Sequence, residues 1–339
     1  MMFFKPKFNT GCIPDPSDLR DLQYDDMVAG APEVDWNTGY DVEKDLGLIV
    51  NIKDQNGSSS CVGQGWAYYI AILNAFETSF YDETSAKAFY SQIFLPGGGA
   101  YIREGGKLSV NWGAVSDLVV SSYDNHKPPS ESFMRDISWK NARIDDIARM
   151  LQAKEYRVIT AADNMDLFAM AIKNNHGVVG GLNGQNNNSW KTGEPKPPAK
   201  VEWAHCLYFG KFGIDELGKY IATPNSWGKR KKDALHPDGW QKLREDYFKS
   251  KFMFNPWTLV DKANYEMTDA SRKVMNENEK KIVIEGEGRG RKGIVINSKL
   301  REIKKGREAD ACLYTLANNN LGITVSSQIF NELEKDNSF

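Results

Sequence analysis

A cysteine at the end of a polar, serine-rich segment is the first feature of the sequence that could carry chemistry. Residues 55–61 read QNGSSSC, and an apolar stretch with helical spacing begins at Cys61. A thiol at a helix N-terminus lies near unpaired backbone N–H groups and the positive end of the helix dipole, which both favour the thiolate. Cys61 is therefore a candidate nucleophile, and its N–H and the Gln55 amide are candidate oxyanion donors. The alternative is that Cys61 is a small buried hydrophobic residue, the usual state of a lone cysteine.

Thiol catalysis also needs an imidazole and a group that orients it. His205 is the best candidate, because it opens the apolar strand AHCLYFG. The sequence NSWG follows, and the side-chain oxygen of Asn225 can accept from one imidazole N–H and set the tautomer. Trp227 would shield that hydrogen bond from water. The other histidines lie in polar loops or at a helix end: His126, His176 and His236.

Taken in order, Gln-x5-Cys, a histidine at a strand start and Asn-Ser-Trp-Gly resemble the papain family of cysteine peptidases. The resemblance covers roughly residues 12–250. It implies Cys61 as nucleophile, His205 as acid and base, and Asn225 as the residue that orients His205. It further implies Gln55 as oxyanion donor. The phrase GCIPDPSDLRDLQYDD, ahead of QNGSSSC, is similar to bacterial and phage members of the family.

The sequence departs from the family pattern at several positions. Val62 stands where family members typically have tryptophan, and Ser58 stands where they have a disulfide-forming cysteine. Cys206 replaces the alanine found next to the histidine in many relatives. No long inhibitory helical bundle is recognisable in residues 1–50, so control by a pro-segment of the usual kind is not expected.

Bulk composition excludes several other classes of function. The net charge is −2, from 43 Lys+Arg and 45 Asp+Glu, which favours neither nucleic acid nor an anionic membrane as a partner. The chain has no signal peptide and no apolar run of membrane-spanning length, so we expect a cytoplasmic protein or one packaged in a phage virion. The four cysteines form no CxxC pair, and no metal or organic cofactor is implied. They are Cys12, Cys61, Cys206 and Cys312.

Hydrophobic periodicity and turn residues predict which elements must position these side chains. Helices are predicted at 60–80, 84–94, 112–123, 141–154 and 163–175. Strands are predicted at 156–160, 177–182, 203–212, 218–223 and 240–244. Because helices dominate the first half and strands the second, the sequence predicts an α+β class. The resemblance makes this a papain-like two-lobe fold, with a helical lobe and an antiparallel β lobe.

Three regions are predicted along the chain. Residues 1–50 form an extended segment that wraps the core, and residues 51–262 form the papain-like catalytic domain. Residues 263–339 form a small appendage of short strands and a helix at about 308–318, which is a possible docking domain. Its glycine-rich stretch 286–293 reads better as a hairpin turn than as a phosphate site. The polar loop 184–200 either forms a rim of the cleft expected between the two lobes or is a solvated insertion.

These observations predict a cysteine-type peptidase that hydrolyses peptide bonds through a thioester intermediate, with a peptide or protein as substrate. The alternative is a structural component, for example of a phage-like particle, that keeps a papain-like fold with little or no proteolysis. The phage-like N-terminal phrase and the C-terminal appendage motivate this alternative. The complete set of Gln, Cys, His and Asn argues against it.

Overall fold

The computed structural model describes residues 11–31, 33–78, 81–124, 127, 129–228 and 240–262, together with the strand segments 281–285, 292–296, 299–302 and 323–325. The α-helices of these residues lie mainly in the first half of the chain. They are Tyr24–Met27 (α1), Val42–Leu46 (α2), Cys61–Thr78 (α3), Ala86–Ile93 (α4), Ile102–Asn111 (α5), Glu131–Arg135 (α6), Ala142–Arg149 (α7), Met165–Asn175 (α8) and Glu245–Lys249 (α9).

Most strands follow in the second half. They are Cys12–Ile13 (β1), Tyr40–Asp41 (β2), Ala100–Tyr101 (β3), Ala153–Val158 (β4), Val178–Gly184 (β5), Trp203–Phe209 (β6), Lys211–Asp215 (β7), Gly218–Thr223 (β8), Gln241–Arg244 (β9), Met253–Lys262 (β10), Lys281–Glu285 (β11), Lys292–Ile296 (β12), Lys299–Glu302 (β13) and Ile323–Val325 (β14).

Two antiparallel sheets build the β lobe. One has the strand order β4-β10-β5-β6, and the other has the order β2-β7-β8-β9. Strands β6, β7 and β8 follow one another through short connections, whereas β8 and β9 are separated by the longer connection 224–240. Strand β9 nevertheless returns beside β8, so that Gln241 lies opposite Thr223 at the end of β8.

Helix α3 lies between the helical lobe and the β lobe. Its residues 61–75 are buried on every side, as expected for a helix with an apolar surface all round. The glycine at position 65 permits this packing, because a Cβ there would lie 3.2 Å from Val179 Cγ1 and 3.5 Å from Cys206 Sγ. The N-terminus of α3 is thereby held directly against β6, the strand that carries His205.

The predicted helices at 60–80, 84–94, 141–154 and 163–175 are confirmed in kind, with bounds that differ by a few residues. The predicted strands are also confirmed, and the span 203–212 is divided between β6 and β7. His176 forms the left-handed C-cap of α8, as its position in KNNHG suggests.

The prediction of a helix at 112–123 is wrong. The helix of this region is α5, which ends at Asn111, and Gly113 follows with a left-handed φ of +96°. A Cβ on Gly113 would lie 1.9 Å from Ala148 O, so this glycine ends the helix and lets the chain pass close to α7. The sequence pattern does not predict α5, because Gly105 within this helix weakens the helical signal. That glycine makes room for the Trp66 ring, which a Cβ would meet at 2.0 Å.

The C-terminal strands form a separate four-stranded sheet with the order β13-β12-β11-β14. Strands β11 and β12 are antiparallel neighbours, in the arrangement expected for a hairpin. The glycine-rich turn between them and the predicted helix at about 308–318 lie outside the described residues. Within the described ranges, no helix is long and apolar enough to cross a membrane.

Candidate active site

His205 and Asn225 are brought together by the two sheets of the β lobe. His205 lies on β6 opposite Leu182, and its Nε2 lies 3.0 Å from Asn225 Oδ1. Asn225 follows β8 and has a left-handed φ of +56°, a conformation that asparagine adopts more readily than most residues. The ring of Trp227 stacks on His205 with centroids 4.6 Å apart, so it covers the imidazole as the sequence suggests.

Cys61 is the first residue of α3 and is fully buried. Its thiol lies against the backbone N–H groups of Val62 and Cys206, and Cys206 is the residue that follows His205. The N-terminus of α3 and the start of β6 therefore meet at the thiol. This places the candidate nucleophile beside the strand that carries the candidate base.

Gln55 lies in a loop that runs beside the NSWG segment. Its backbone N–H donates to Ser226 O at 2.8 Å, and its side-chain Oε1 accepts from Ser226 Oγ at 2.6 Å. The Nε2 group donates to Ser58 O at 3.0 Å. Because Ser226 holds the oxygen end of the amide, the N–H end of Gln55 points toward the segment that leads to Cys61.

Tyr68 of α3 ties these two loops to the central helix. Its hydroxyl donates to Asn225 O at 2.8 Å and accepts from Lys53 N at 2.6 Å. The Lys53 ammonium is itself buried and bonds Glu83 Oε2 and Thr84 O, each at 3.2 Å. Buried and fully partnered polar groups of this kind hold loops in one arrangement.

The N-terminal segment covers the Cys61 thiol. A Cβ on Gly11 would lie 2.7 Å from Cys61 Sγ and 2.6 Å from Ser59 O, so only a glycine fits there. The Gly11 carbonyl accepts from Ala100 N at 3.1 Å, and β1 continues as a parallel partner of β3. The next residue, Cys12, is also buried, and its thiol lies beside that of Cys206.

Polar contacts anchor this segment against α5 and β10. Asp15 accepts from the backbone N–H of Arg103 at 3.1 Å and from Trp257 Nε1 at 2.8 Å. Its own N–H donates to Asn255 Oδ1 at 2.9 Å, and the Arg103 guanidinium pairs with Asp21 at 2.7 Å. The segment is therefore held in place along its length and not only at Gly11.

Burial favours the neutral forms of both Cys61 and His205. It raises the pKa of the Cys61 thiol well above its ordinary value, and the neighbouring Cys12 adds to the effect. The backbone N–H groups act in the opposite direction but do not prevail. Burial likewise lowers the pKa of His205 to about 4, against the hydrogen bond with Asn225. The expectation that the helix N-terminus yields a thiolate is therefore wrong for the covered site, because desolvation outweighs the helix.

Sequence reasoning missed three positions at this site: Gly11, Ser226 and Gln241. Ser226 lies within NSWG, but only its hydrogen bond to Gln55 Oε1 shows that it helps to orient the Gln55 amide. Gln241 begins β9, and the only signal in the sequence is that it shares a face of the strand with Leu243. Nothing in the sequence indicates that Gly11 reaches Cys61, because the contact depends on the path of the whole segment.

We expect the neutral state of buried His205 to make stability depend on pH. A histidine whose pKa is about 4 when folded and 6.5 when unfolded binds more protons in the unfolded state between these values. The free energy of unfolding should therefore fall by about 3 kcal/mol from this group as the pH drops from about 7.5 to 4.

Chemical denaturation of the wild type and of His205→Gln at both pH values measures this effect. Buried Asp82 and Asp117, whose pKa values are raised to about 7 and about 6 by burial, act in the opposite sense. Both proteins contain them, so their effect cancels in the difference. An identical pH dependence for the two proteins would show that His205 is not buried as a neutral base.

Among the described residues, no group of three or more His, Cys, Asp or Glu side chains is placed to hold a metal ion. The side chains that meet at the site offer a thiol, an imidazole, an amide that orients the imidazole and a second amide with an N–H to donate.

Comparison of the structure with solved structures identifies the fold. No family model matches the sequence, and no curated protein matches it. The structure is similar to xylellain, a cysteine protease from Xylella fastidiosa, with TM-score 0.60 and 19% identity over 77% of this chain and 100% of that chain. It is also similar to proCathepsin B from Trypanosoma congolense, with TM-score 0.55 and 11% identity over 76% and 87% of the two chains.

The bromelain protease from Ananas comosus in complex with the E64 inhibitor has TM-score 0.50 and 15% identity, over 68% of this chain and 100% of that chain. The helical lobe and antiparallel sheets of the present chain therefore form a papain-like fold, and the predicted α+β class is confirmed. At these identities the likeness defines the fold, and the roles of individual residues rest on the geometry given above.

Proposed function

We propose that this protein is a cysteine-type peptidase with Cys61 as nucleophile, His205 as acid and base, and Asn225 as the residue that orients His205. The observation that carries the proposal is the 3.0 Å contact between His205 Nε2 and Asn225 Oδ1, beside the start of α3 in a papain-like fold. An imidazole held in this way can take a proton from a thiol at its other nitrogen.

The proposed reaction has two stages. In the first, the Cys61 thiolate attacks the carbonyl carbon of a peptide bond, and the N–H of Cys61 and Gln55 Nε2 stabilise the oxyanion. His205 then protonates the leaving amine, which leaves a thioester on Cys61. In the second, water activated by His205 hydrolyses the thioester and restores the thiol. No metal or organic cofactor takes part in this proposal.

The position of the N-terminal segment supports a latent resting form. Gly11 lies over the thiol, so a substrate carbonyl can reach Cys61 Sγ only after the segment moves. The Gly11 carbonyl is engaged by Ala100 N, and the segment therefore resembles a blocking strand more than a bound substrate. Exposure to water on release would favour the charged thiolate–imidazolium pair over the neutral one.

A mixed peptide library tests the function and its specificity. The wild type and Cys61→Ala are incubated with the library, and the products are identified by mass spectrometry. Cleavage by the wild type alone supports the peptidase. No cleavage by either protein, even when the N-terminal segment has been displaced, favours the alternative, a structural component of a phage-like particle. The similarity of residues 11–26 to bacterial and phage members leads us to propose a cytoplasmic or virion location.

Asn225→Ala is expected to lower kcat less than Cys61→Ala does. Asparagine only orients the base, whereas cysteine forms the covalent bond, so we expect a loss on the order of 10²-fold for Asn225→Ala. Initial rates on one peptide substrate measure it, and circular dichroism checks the fold. A complete loss of turnover in correctly folded Asn225→Ala would contradict the assigned role.

We further propose that residues 263–339 serve docking and are dispensable for hydrolysis. Strand β10 lies between β4 and β5 and pairs with β4 up to Lys262, opposite Ala153, so the β lobe is complete at that residue. Truncation after Lys262 is expected to leave kcat/KM on a short peptide within about twofold of the full chain. If the truncated protein folds but loses activity, the C-terminal residues must complete the active site.

A further inference from the structure

The buried side chain of Gln241 lies directly behind Asn225. Gln241 begins β9 and pairs with Thr223 at the end of β8, two residues before Asn225. It is only 3% exposed. Its amide is the acceptor for Asn225 Nδ2, so the two amides and the imidazole of His205 form one row of hydrogen bonds.

Two backbone carbonyls determine which way the Gln241 amide faces. Gln241 Nε2 donates to Trp190 O and to Thr192 O, both at 3.0 Å. A carbonyl can only accept, so a flipped amide would set Oε1 of Gln241 against two other oxygens. Oε1 of Gln241 must therefore face Asn225.

The orientation of the Gln241 amide in turn determines that of the Asn225 amide. Since Gln241 Oε1 can only accept, the NH₂ group of Asn225 faces it, and Asn225 Oδ1 faces His205. The backbone N–H of Ser226 also donates to Oδ1, at 2.6 Å, and supports this orientation. An oxygen opposite His205 Nε2 requires a proton on that nitrogen. The neutral imidazole then keeps its lone pair on Nδ1.

We propose that Gln241 is a positioning residue that selects the Nε2–H tautomer of His205 through Asn225. The tautomer matters because only an unprotonated Nδ1 can accept the Cys61 proton while Nε2 stays bonded to Asn225. The link to turnover rests on the proposed peptidase function, but the choice of tautomer is a property of the folded protein alone.

This chain of contacts also gives the polar loop 184–200 a role. Its short 3₁₀ turn at Ser189–Lys191 brings the carbonyls of Trp190 and Thr192 toward β9. The Trp190 ring is buried and packs edge-on against Trp227, which stacks on His205. The loop therefore supports the imidazole from behind and is more than a solvated insertion.

The test uses the full-length Cys61→Ala protein, labelled with ¹⁵N-histidine. At neutral pH the ¹⁵N shifts and long-range proton couplings of an imidazole distinguish the Nε2–H tautomer from the Nδ1–H tautomer. The His205 signals are assigned by their loss in a further His205→Gln change. Gln241→Met is the decisive variant, because it keeps the volume and removes the acceptor for Asn225.

One further variant makes the comparison specific. Leu243→Val removes packing from the same strand without touching a side-chain polar contact, so it should keep the Nε2–H tautomer. Gln241→Leu replaces Gln241→Met if the methionine variant does not fold.

We expect the Nε2–H tautomer alone in the parent and a mixture of both tautomers in Gln241→Met. In the active background, Gln241→Met should lower kcat about tenfold with KM changed less than twofold; the loss is partial because Ser226 N–H still holds Asn225 Oδ1. Unchanged His205 signals in Gln241→Met, or in Gln241→Leu where it replaces Gln241→Met, would overturn the proposal. An Nδ1–H tautomer in the parent would also overturn it. A change of tautomer without peptide cleavage by any protein would uphold it and refute the peptidase function.

Discussion

Replacing Cys61 with alanine is expected to lower kcat/KM for a peptide substrate by on the order of 10⁴-fold or more. The thiol of Cys61 forms the covalent bond in the proposed mechanism, and an alanine at this position cannot form it. The loss should exceed that of Asn225→Ala, which leaves the thioester route intact. Initial rates with a fluorogenic peptide measure the effect.

Cys206→Ala is the matched control for this change. Cys206 is also buried and stands next to His205, and its backbone N–H, which Cys206→Ala keeps, lies against the Cys61 thiol. We expect Cys206→Ala to retain activity within about tenfold of the wild type. Equal losses for Cys206→Ala and Cys61→Ala would mean that the cysteines act through packing and that Cys61 is not the nucleophile.

Replacing Gly11 with leucine is expected to raise the initial rate. The new Cβ would lie 2.7 Å from Cys61 Sγ and 2.6 Å from the Ser59 carbonyl, so the side chain cannot be accommodated while the segment covers the thiol. Overpacking of this kind costs about 1–3 kcal/mol. If the covered form dominates, the open population should rise by roughly 5- to 150-fold, since 1.4 kcal/mol is a factor of ten.

Gly97→Leu provides the control for this second change. Gly97 lies in the loop that leads to β3, and a Cβ there would have no neighbour within 4 Å. Its rate should stay near that of the wild type. A wild-type rate in Gly11→Leu, or a loss of activity without unfolding, would show that the N-terminal segment does not block the thiol.

Cys61, His205 and Asn225 could be singled out as candidate site residues because each has a local signal in the sequence, and Gln55 follows from its spacing to Cys61. Cys61 precedes a helical pattern, His205 opens an apolar strand, and Asn225 lies in the turn that follows the next hairpin. The α+β class could be predicted from the order of helices and strands. These features depend on neighbours in the sequence, so the sequence alone contains them.

The features that sequence reasoning missed depend on contacts between distant segments. Gly105 weakens the helical pattern of α5, and only the Trp66 ring packed against it explains the glycine. Likewise, the sequence predicts that the N-terminal segment wraps the core, but no local pattern indicates that Gly11 packs against the Cys61 thiol. The role of Gln241 depends on the carbonyls of Trp190 and Thr192, which accept hydrogen bonds from its side-chain amide and lie about 50 residues earlier in the chain.

Covalent labelling by a peptidyl epoxide tests most directly whether Cys61 is the nucleophile and His205 its base. The reaction is run under reducing conditions on the Gly11→Leu protein, in which the segment is displaced, and peptide mass spectrometry locates the adduct. We expect one adduct, on Cys61, that forms much more slowly when His205→Ala is added to this protein and is absent when Cys61→Ala is added. An adduct on Cys12 or Cys206 with Cys61 unmodified, or labelling that does not depend on His205, would contradict it.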